Sequence, residues 1–179
     1  MKKFLFIFLL SIFLLSLWLV VLPKESLAAG NLYFSPSSGT KYSGQNVTVG
    51  VRVSGMDGVD GVTADFSYPA DKLDFVSISS GSSAFGIKAE ESGGGGSVKI
   101  SRANIEQLSG DKLVANVTFK PKVNSGTASL IFTGSTALTR AGSNVLGGKS
   151  NANFSLAQPA AAPPPPPVDT TAPTISEIS

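Results

Sequence analysis

The chain has 179 residues, carries 14 Lys and Arg against 12 Asp and Glu, and contains neither cysteine nor histidine. Their absence excludes His-based catalytic triads, thiolate or imidazole zinc sites, imidazole pH switches and disulfide staples. Residues 1–28 hold three of the basic and one of the acidic side chains, so the remainder is formally neutral and offers no basic footprint for nucleic acid.

The first element is Met1-Lys2-Lys3 followed by nineteen uncharged residues, Phe4 to Leu22, then Pro23 and the small-residue stretch Ser26 to Gly30. This is the layout of an export signal cleaved after Ala28, with Ala29 the near alternative. Nineteen helical residues rise about 28 Å, close to the hydrocarbon thickness, so an uncleaved membrane anchor remains the second possibility.

Residues 30–156 are rich in Val, Thr, Phe and Ser with frequent Gly, the composition of short strands joined by turns. At Asn46 to Ser54, Val47, Val49, Val51 and Val53 alternate with Thr48, Gly50 and Arg52, which predicts one buried and one wet face. Val62, Ala64, Phe66 and Tyr68 repeat the pattern and turn Thr63, Asp65 and Ser67 outward, before Pro69 ends the strand. Further strands are predicted at 73–79, 98–102, 113–120, 128–133 and 152–156, with weaker ones at 31–34, 85–89 and 136–139. In 113–120 the inward set is Leu113, Ala115, Val117 and Phe119, opposite Val114, Asn116, Thr118 and Lys120. Turns are expected at Asp57-Gly58, Asp60-Gly61, Ser109-Gly110-Asp111 and Asn124-Ser125-Gly126, and Gly93 to Gly96 as a loose loop tip. The expected fold is an all-β sandwich of about 127 residues, enough for a single core.

Residues 157–168 form an Ala/Pro-rich linker in which Pro163 to Pro167 span about 15 Å as polyproline. Residues 169–179 begin Asp169-Thr170-Thr171-Ala172-Pro173, a phrase that resembles the opening of a bacterial immunoglobulin-like or fibronectin-type repeat. The expectation is a disordered tail that continues into a larger exported protein.

Few residues offer chemistry. Asp57 and Asp60 are weak calcium candidates, since hard cations need several oxygens, but no closing Glu follows and turn formation explains them better. Glu90 and Glu91 are adjacent on an extended chain and point to opposite faces, which disqualifies them as an acid and base pair. No cofactor is implied. The only Trp, Trp18, lies in the leader, and Tyr33, Tyr42 and Tyr68 do not suggest an aligned stacking platform for crystalline polysaccharide.

Two stretches carry a family resemblance: GVTADFSYPADKLDFVSISSG from Gly61 and SGDKLVANVTFKPKVNSGTASLIF from Ser109. Asp65-Phe66, Tyr68-Pro69, Leu73 and Val76, then Asp111, Leu113, Ala115, Val117, Phe119 and Lys122, resemble the cohesin family, as does Val98-Lys99-Ile100-Ser101 between them. The resemblance implies a flattened nine-strand jelly roll of cohesin or carbohydrate-binding-module type. It also implies a non-catalytic, monomeric, secreted or cell-surface module that recognises a dockerin-like protein. A polysaccharide ligand, for adhesion or polysaccharide breakdown, is the alternative, because the superfamily also contains carbohydrate-binding modules. Asp65 matches a partner-holding position of the family, whereas Thr63 stands where the family often has Asn. Thr63, Asp65 and Ser67 are the first candidates for a recognition surface, with Asn116 and Thr118 behind them.

Overall fold

The computed structural model describes residues 30–161. The predicted signal segment 1–28, the proline run and the tail 169–179 lie outside these residues. The described residues form eleven strands: β1 (Gly30–Ser35), β2 (Ser38–Tyr42), β3 (Val47–Ser67), β4 (Leu73–Ser79), β5 (Ile87–Gly94), β6 (Ser97–Pro121), β7 (Thr127–Phe132), β8 (Ala137–Arg140), β9 (Ser143–Asn144), β10 (Leu146–Ser150) and β11 (Ala152–Ala157).

The long strands β3 and β6 organise the molecule. They pair antiparallel from Val47 opposite Phe119 to Ser67 opposite Ser97, with irregularities between Val51 and Gly61. The predicted turns at Asp57-Gly58 and Ser109-Gly110-Asp111 do not reverse the chain. Gly58 (φ 67°) and Gly110 (φ 83°) supply their positive φ inside a bent ladder, where Met56 pairs with Gly110 and Val59 with Leu108. Bulges increase local twist and bend a strand pair, and this series folds the ribbon over on itself. The four separate strands expected at 46–54, 62–68, 98–102 and 113–120 are therefore halves of two.

Each half of the ribbon seeds one layer. Around 47–54 and 112–119, the order is β10-β1-β3-β6-β4; around 61–67 and 97–103, it is β2-β11-β7-β3-β6-β5, with β8 taking over from β7 beside Gly61 to Thr63. The inward residues of both layers form one core. Phe34 of β1 stacks on Phe132 of β7, with centroids 4.3 Å apart, and meets Phe66 of β3 edge-on at 5.0 Å. Tyr68 closes on Phe119 at 5.1 Å.

Three local expectations are corrected. Val114, expected outside, is fully buried along with Ala115: Arg52 pairs with Leu113 and Val51 with Ala115, so Val114 is the extra residue of a bulge and the pleat changes phase there. The glycine run is a tight hairpin instead of a loose tip. Gly94 pairs with Ser97 across Gly95 (φ 60°) and Gly96 (φ 93°), a two-residue turn with both central φ positive, which glycine alone adopts without strain. Ser38–Tyr42, of which Ser38 and Gly39 fall in a Pro36-Ser37-Ser38-Gly39 stretch whose composition predicts a turn, is a strand added parallel to β11.

Candidate functional site

The outer face of the second layer brings together three of the sequence-predicted residues. Because Val62, Ala64 and Phe66 point into the core, the alternating pleat turns Thr63, Asp65 and Ser67 outward. Their register partners on β6 are Ser101, Lys99 and Ser97, and Ser67 lies beside Ile131 of β7 on its other flank. Thr63 Oγ1 and Ser101 Oγ are 3.1 Å apart.

Asp65 stands at the centre, and its backbone is held by a residue the sequence did not single out. Between β7 and β8 the ladder is interrupted, and Thr136, only 3% exposed, replaces the missing strand partner. Its Oγ1 donates to the Asp65 carbonyl at 2.7 Å and lies 3.3 Å from the Asp65 amide, and the Thr133 N–H donates to the same carbonyl at 2.8 Å. No periodic signal marks a threonine that completes a ladder through its side chain. Lys99 lies between two acids: the Glu90 carboxylate at 2.8 Å, and to a lesser degree Asp65, hold its ammonium above the ordinary lysine value. Glu91 faces the other way, into the layer edge, where it pairs with Arg102.

Asn116 and Thr118 do not belong to this surface. They lie on the outer face of the first layer, where Thr118 Oγ1 is 3.1 Å from Thr48 Oγ1 and Asn116 pairs with Gly50. The five candidates thus occupy opposite sides of the sandwich, since both layers turn their apolar sets toward one core.

On that opposite side Tyr33, Arg52 and Asp111 form a polar cluster. The Tyr33 hydroxyl donates to Asp111 Oδ2 at 2.5 Å, and Arg52 Nε reaches both Asp111 Oδ1 (3.0 Å) and the Tyr33 oxygen (3.1 Å). The hydrogen bond from Tyr33, then that from Arg52, lowers the Asp111 carboxyl below its usual range, and the Asp111 acceptor raises the Tyr33 phenol above 10.0. The depressed Asp111 contributes stability that is present above its unfolded value, about 3.9, and is lost as pH falls through the folded one. The raised Tyr33 contributes stability that is present below its unfolded value, about 10, and is lost as pH rises through the folded one. Urea unfolding should therefore show that Asp111→Asn removes part of the acid limb of the stability profile and Tyr33→Phe part of the alkaline limb. Both effects are small, because Asp111 is 44% exposed. Profiles superimposable on that of the parent protein would show that the cluster is fully solvated.

Asp57 and Asp60 are engaged within the protein. Asp57 lies 3.7 Å from the Arg140 guanidinium, and Asp60 Oδ2 accepts the Ala141 N–H at 2.7 Å. Among the described residues no three carboxylates gather into a metal site. The tyrosines are dispersed: Tyr68 is buried, Tyr33 is tied to Asp111, and Tyr42 is exposed on β2.

A family profile for the cohesin domain matches residues 34–153. No curated protein sequence matches the chain significantly. Among solved structures, the sixth cohesin of scaffoldin B from Acetivibrio cellulolyticus, in complex with a Cel5 dockerin mutant, is similar at 20% identity and TM-score 0.63, over 72% of this chain and 99% of that one. A non-cellulosomal cohesin from the archaeon Archaeoglobus fulgidus is similar at 20% identity and TM-score 0.62, over 73% and 93%. The cohesin of the Coh-OlpC-Doc435 complex from Clostridium thermocellum is similar at 9% identity and TM-score 0.62, over 73% and 94%. Since the profile covers the sandwich from β1 to β11 and the layered jelly roll agrees with it, this chain belongs to the cohesin domain family.

Proposed function

We propose that the domain is a non-catalytic, exported interaction module whose second-layer outer face docks a dockerin-type protein. The observation that carries this reading is the match to the cohesin family over residues 34–153, and the resemblance of Asp65 to a partner-holding position of that family supports it. The face suits the task. Hydroxyls at Thr63, Ser67, Ser97 and Ser101 and the charges of Asp65 and Lys99 can set register, while the apolar part of the patch contributes most of the binding energy. The apolar leader at residues 4–22 supports export, and the proline-rich linker supports display of the module at a distance from whatever follows it. Thr63 in place of the family's frequent Asn removes an amide donor, so partners that depend on that donor should bind weakly.

Calorimetry against a panel of purified dockerins, including the Cel5 dockerin, tests the reading. A binder should lose about tenfold in affinity with Asp65→Ala, the size expected for a hydrogen-bonded charge at an interface, and be unaffected by Asn116→Ala. Loss on Asn116→Ala with Asp65→Ala silent would move the site to the opposite face. A panel without a binder, together with measurable affinity for a soluble polysaccharide, would replace the proposal with carbohydrate recognition.

A further inference from the structure

We infer that the β7 end of the docking face holds an anchor groove for an aliphatic side chain that lies next to a carboxylate in the protein partner. The inference rests on the docking-face reading and names the chemistry of the partner segment. The outward residues on this side of the face are otherwise polar or small, yet Ile131 is 47% exposed beside Ser67. A β-branched residue left half in water on a polar sheet face is a hot-spot candidate, since a buried aliphatic contact in an interface pocket carries energy that polar neighbours do not.

Ile131 also lines a concavity. An open groove of about 350 Å³ is bounded by Ser67, Tyr68, Pro69, Lys72, Thr127, Ser129 and Ile131. Its wall at Tyr68 and Pro69 is rigid, because Tyr68 is a core residue whose amide donates to the Gly96 carbonyl at 2.8 Å, and the Pro69 carbonyl accepts the Lys72 and Leu73 amides. Lys72 Nζ sits at the mouth and donates to the Thr127 carbonyl at 2.9 Å. One of three ammonium protons is thereby used, and among the described residues no carboxylate lies within ion-pair distance of Lys72. The apolar surface of Ile131, Tyr68 and Pro69, beside an oriented cation that has no acidic partner, is complementary to an aliphatic residue flanked by Asp or Glu. The groove is continuous with the Ser67 and Asp65 row, so a segment lying along β3 would reach it without leaving the face.

Two other exposed isoleucines provide internal controls. Ile105 is 90% exposed on the bulge that follows Ala103, and Ile87 is 47% exposed at the start of β5, but neither borders this groove. With the chain labelled at isoleucine δ1-methyl groups, titration to about 10 mM with N-acetyl-Leu-Asp-N-methylamide should shift Ile131 and leave Ile87 and Ile105 in place, the concentration range in which a small anchor binds. The Leu-Asn analogue should shift Ile131 several-fold less, and Lys72→Met should abolish that difference while keeping the preference of Leu over Ser. In a dockerin complex, Ile131→Ser should lower affinity about tenfold with an unchanged thermal midpoint.

Equal shifts at all three isoleucines, or none at Ile131, would overturn the groove. So would undiminished dockerin binding by Ile131→Ser while Asp65→Ala still weakens it, an outcome that leaves the docking face standing. A selective Ile131 shift with dockerin affinity insensitive to Asp65→Ala would instead retain the groove and dismiss the wider docking face.

Discussion

Phe34→Ala should lower the unfolding free energy by about 3–5 kcal/mol, the usual cost of emptying a large aromatic site in a close-packed core. Phe34 is 1% exposed and touches two rings of the facing layer, stacked on Phe132 at 4.3 Å and edge-on to Phe66 at 5.0 Å. Its removal takes away both transfer energy and the only aromatic contribution of β1 to the three-ring cluster, and neighbouring strands cannot collapse into the gap without breaking ladder bonds. Domains of this size are stable by about 5–15 kcal/mol in total, so the variant should unfold at much lower urea and melt roughly ten degrees or more below the parent. Phe34→Leu should recover over half of the loss because it retains most of the volume. Far-UV circular dichroism in urea measures both. A deficit below about 1 kcal/mol for the alanine variant would mean that the two layers do not close on this ring.

The second large effect concerns Arg102 and Glu91. Arg102 occupies an inward position of β6, after Val98 and Ile100, and its side chain is 6% exposed against 11% for Glu91. Arg102 Nε donates to the Phe85 carbonyl at 2.8 Å, and its guanidinium pairs with the Glu91 carboxylate. The arginine thus ties the Phe85 loop and edge strand β5 to the second layer. Glu91→Ala leaves a buried cation with one neutral acceptor, and breaking a buried pair from one side costs about 3–5 kcal/mol. Replacing both partners, as Glu91→Leu with Arg102→Met, should return stability to near the parent value or above it, because the cost of desolvating two charges disappears together with the attraction that offset it. Hydrogen exchange should show the single variant losing protection in β5 first. If the double variant is as unstable as the single one, the contribution of the pair is steric packing, and the electrostatic account fails.

The two variants act on different parts of the molecule. Phe34 holds the layers together, while the Arg102 pair holds the β5 margin of the face assigned to partner binding. Loss of dockerin affinity in Glu91→Ala at a temperature where the protein stays folded would link that margin to recognition.

Residue type and period were enough to establish much of this protein. Alternation at Val47 to Val53 and Val62 to Tyr68 determined strand identity and which side chains point inward, since a period of two has only two solutions and the apolar one must be buried. The outward placement of Thr63, Asp65 and Ser67 follows from the same rule. Glycines marked every position of positive φ in the bent ribbon, but a positive φ serves a bulge as well as a turn, so local chemistry could not tell a reversal at Gly58 and Gly110 from a bend. Only pairing over fifty residues of chain decided it. The same holds for Val114, whose burial depends on one extra residue relative to a partner strand, and for Thr136, whose hydroxyl substitutes for a ladder bond to Asp65. The division of the five candidate residues between opposite faces was likewise invisible locally: each is outward on its own strand, and which outside that means is set by the layer the strand joins.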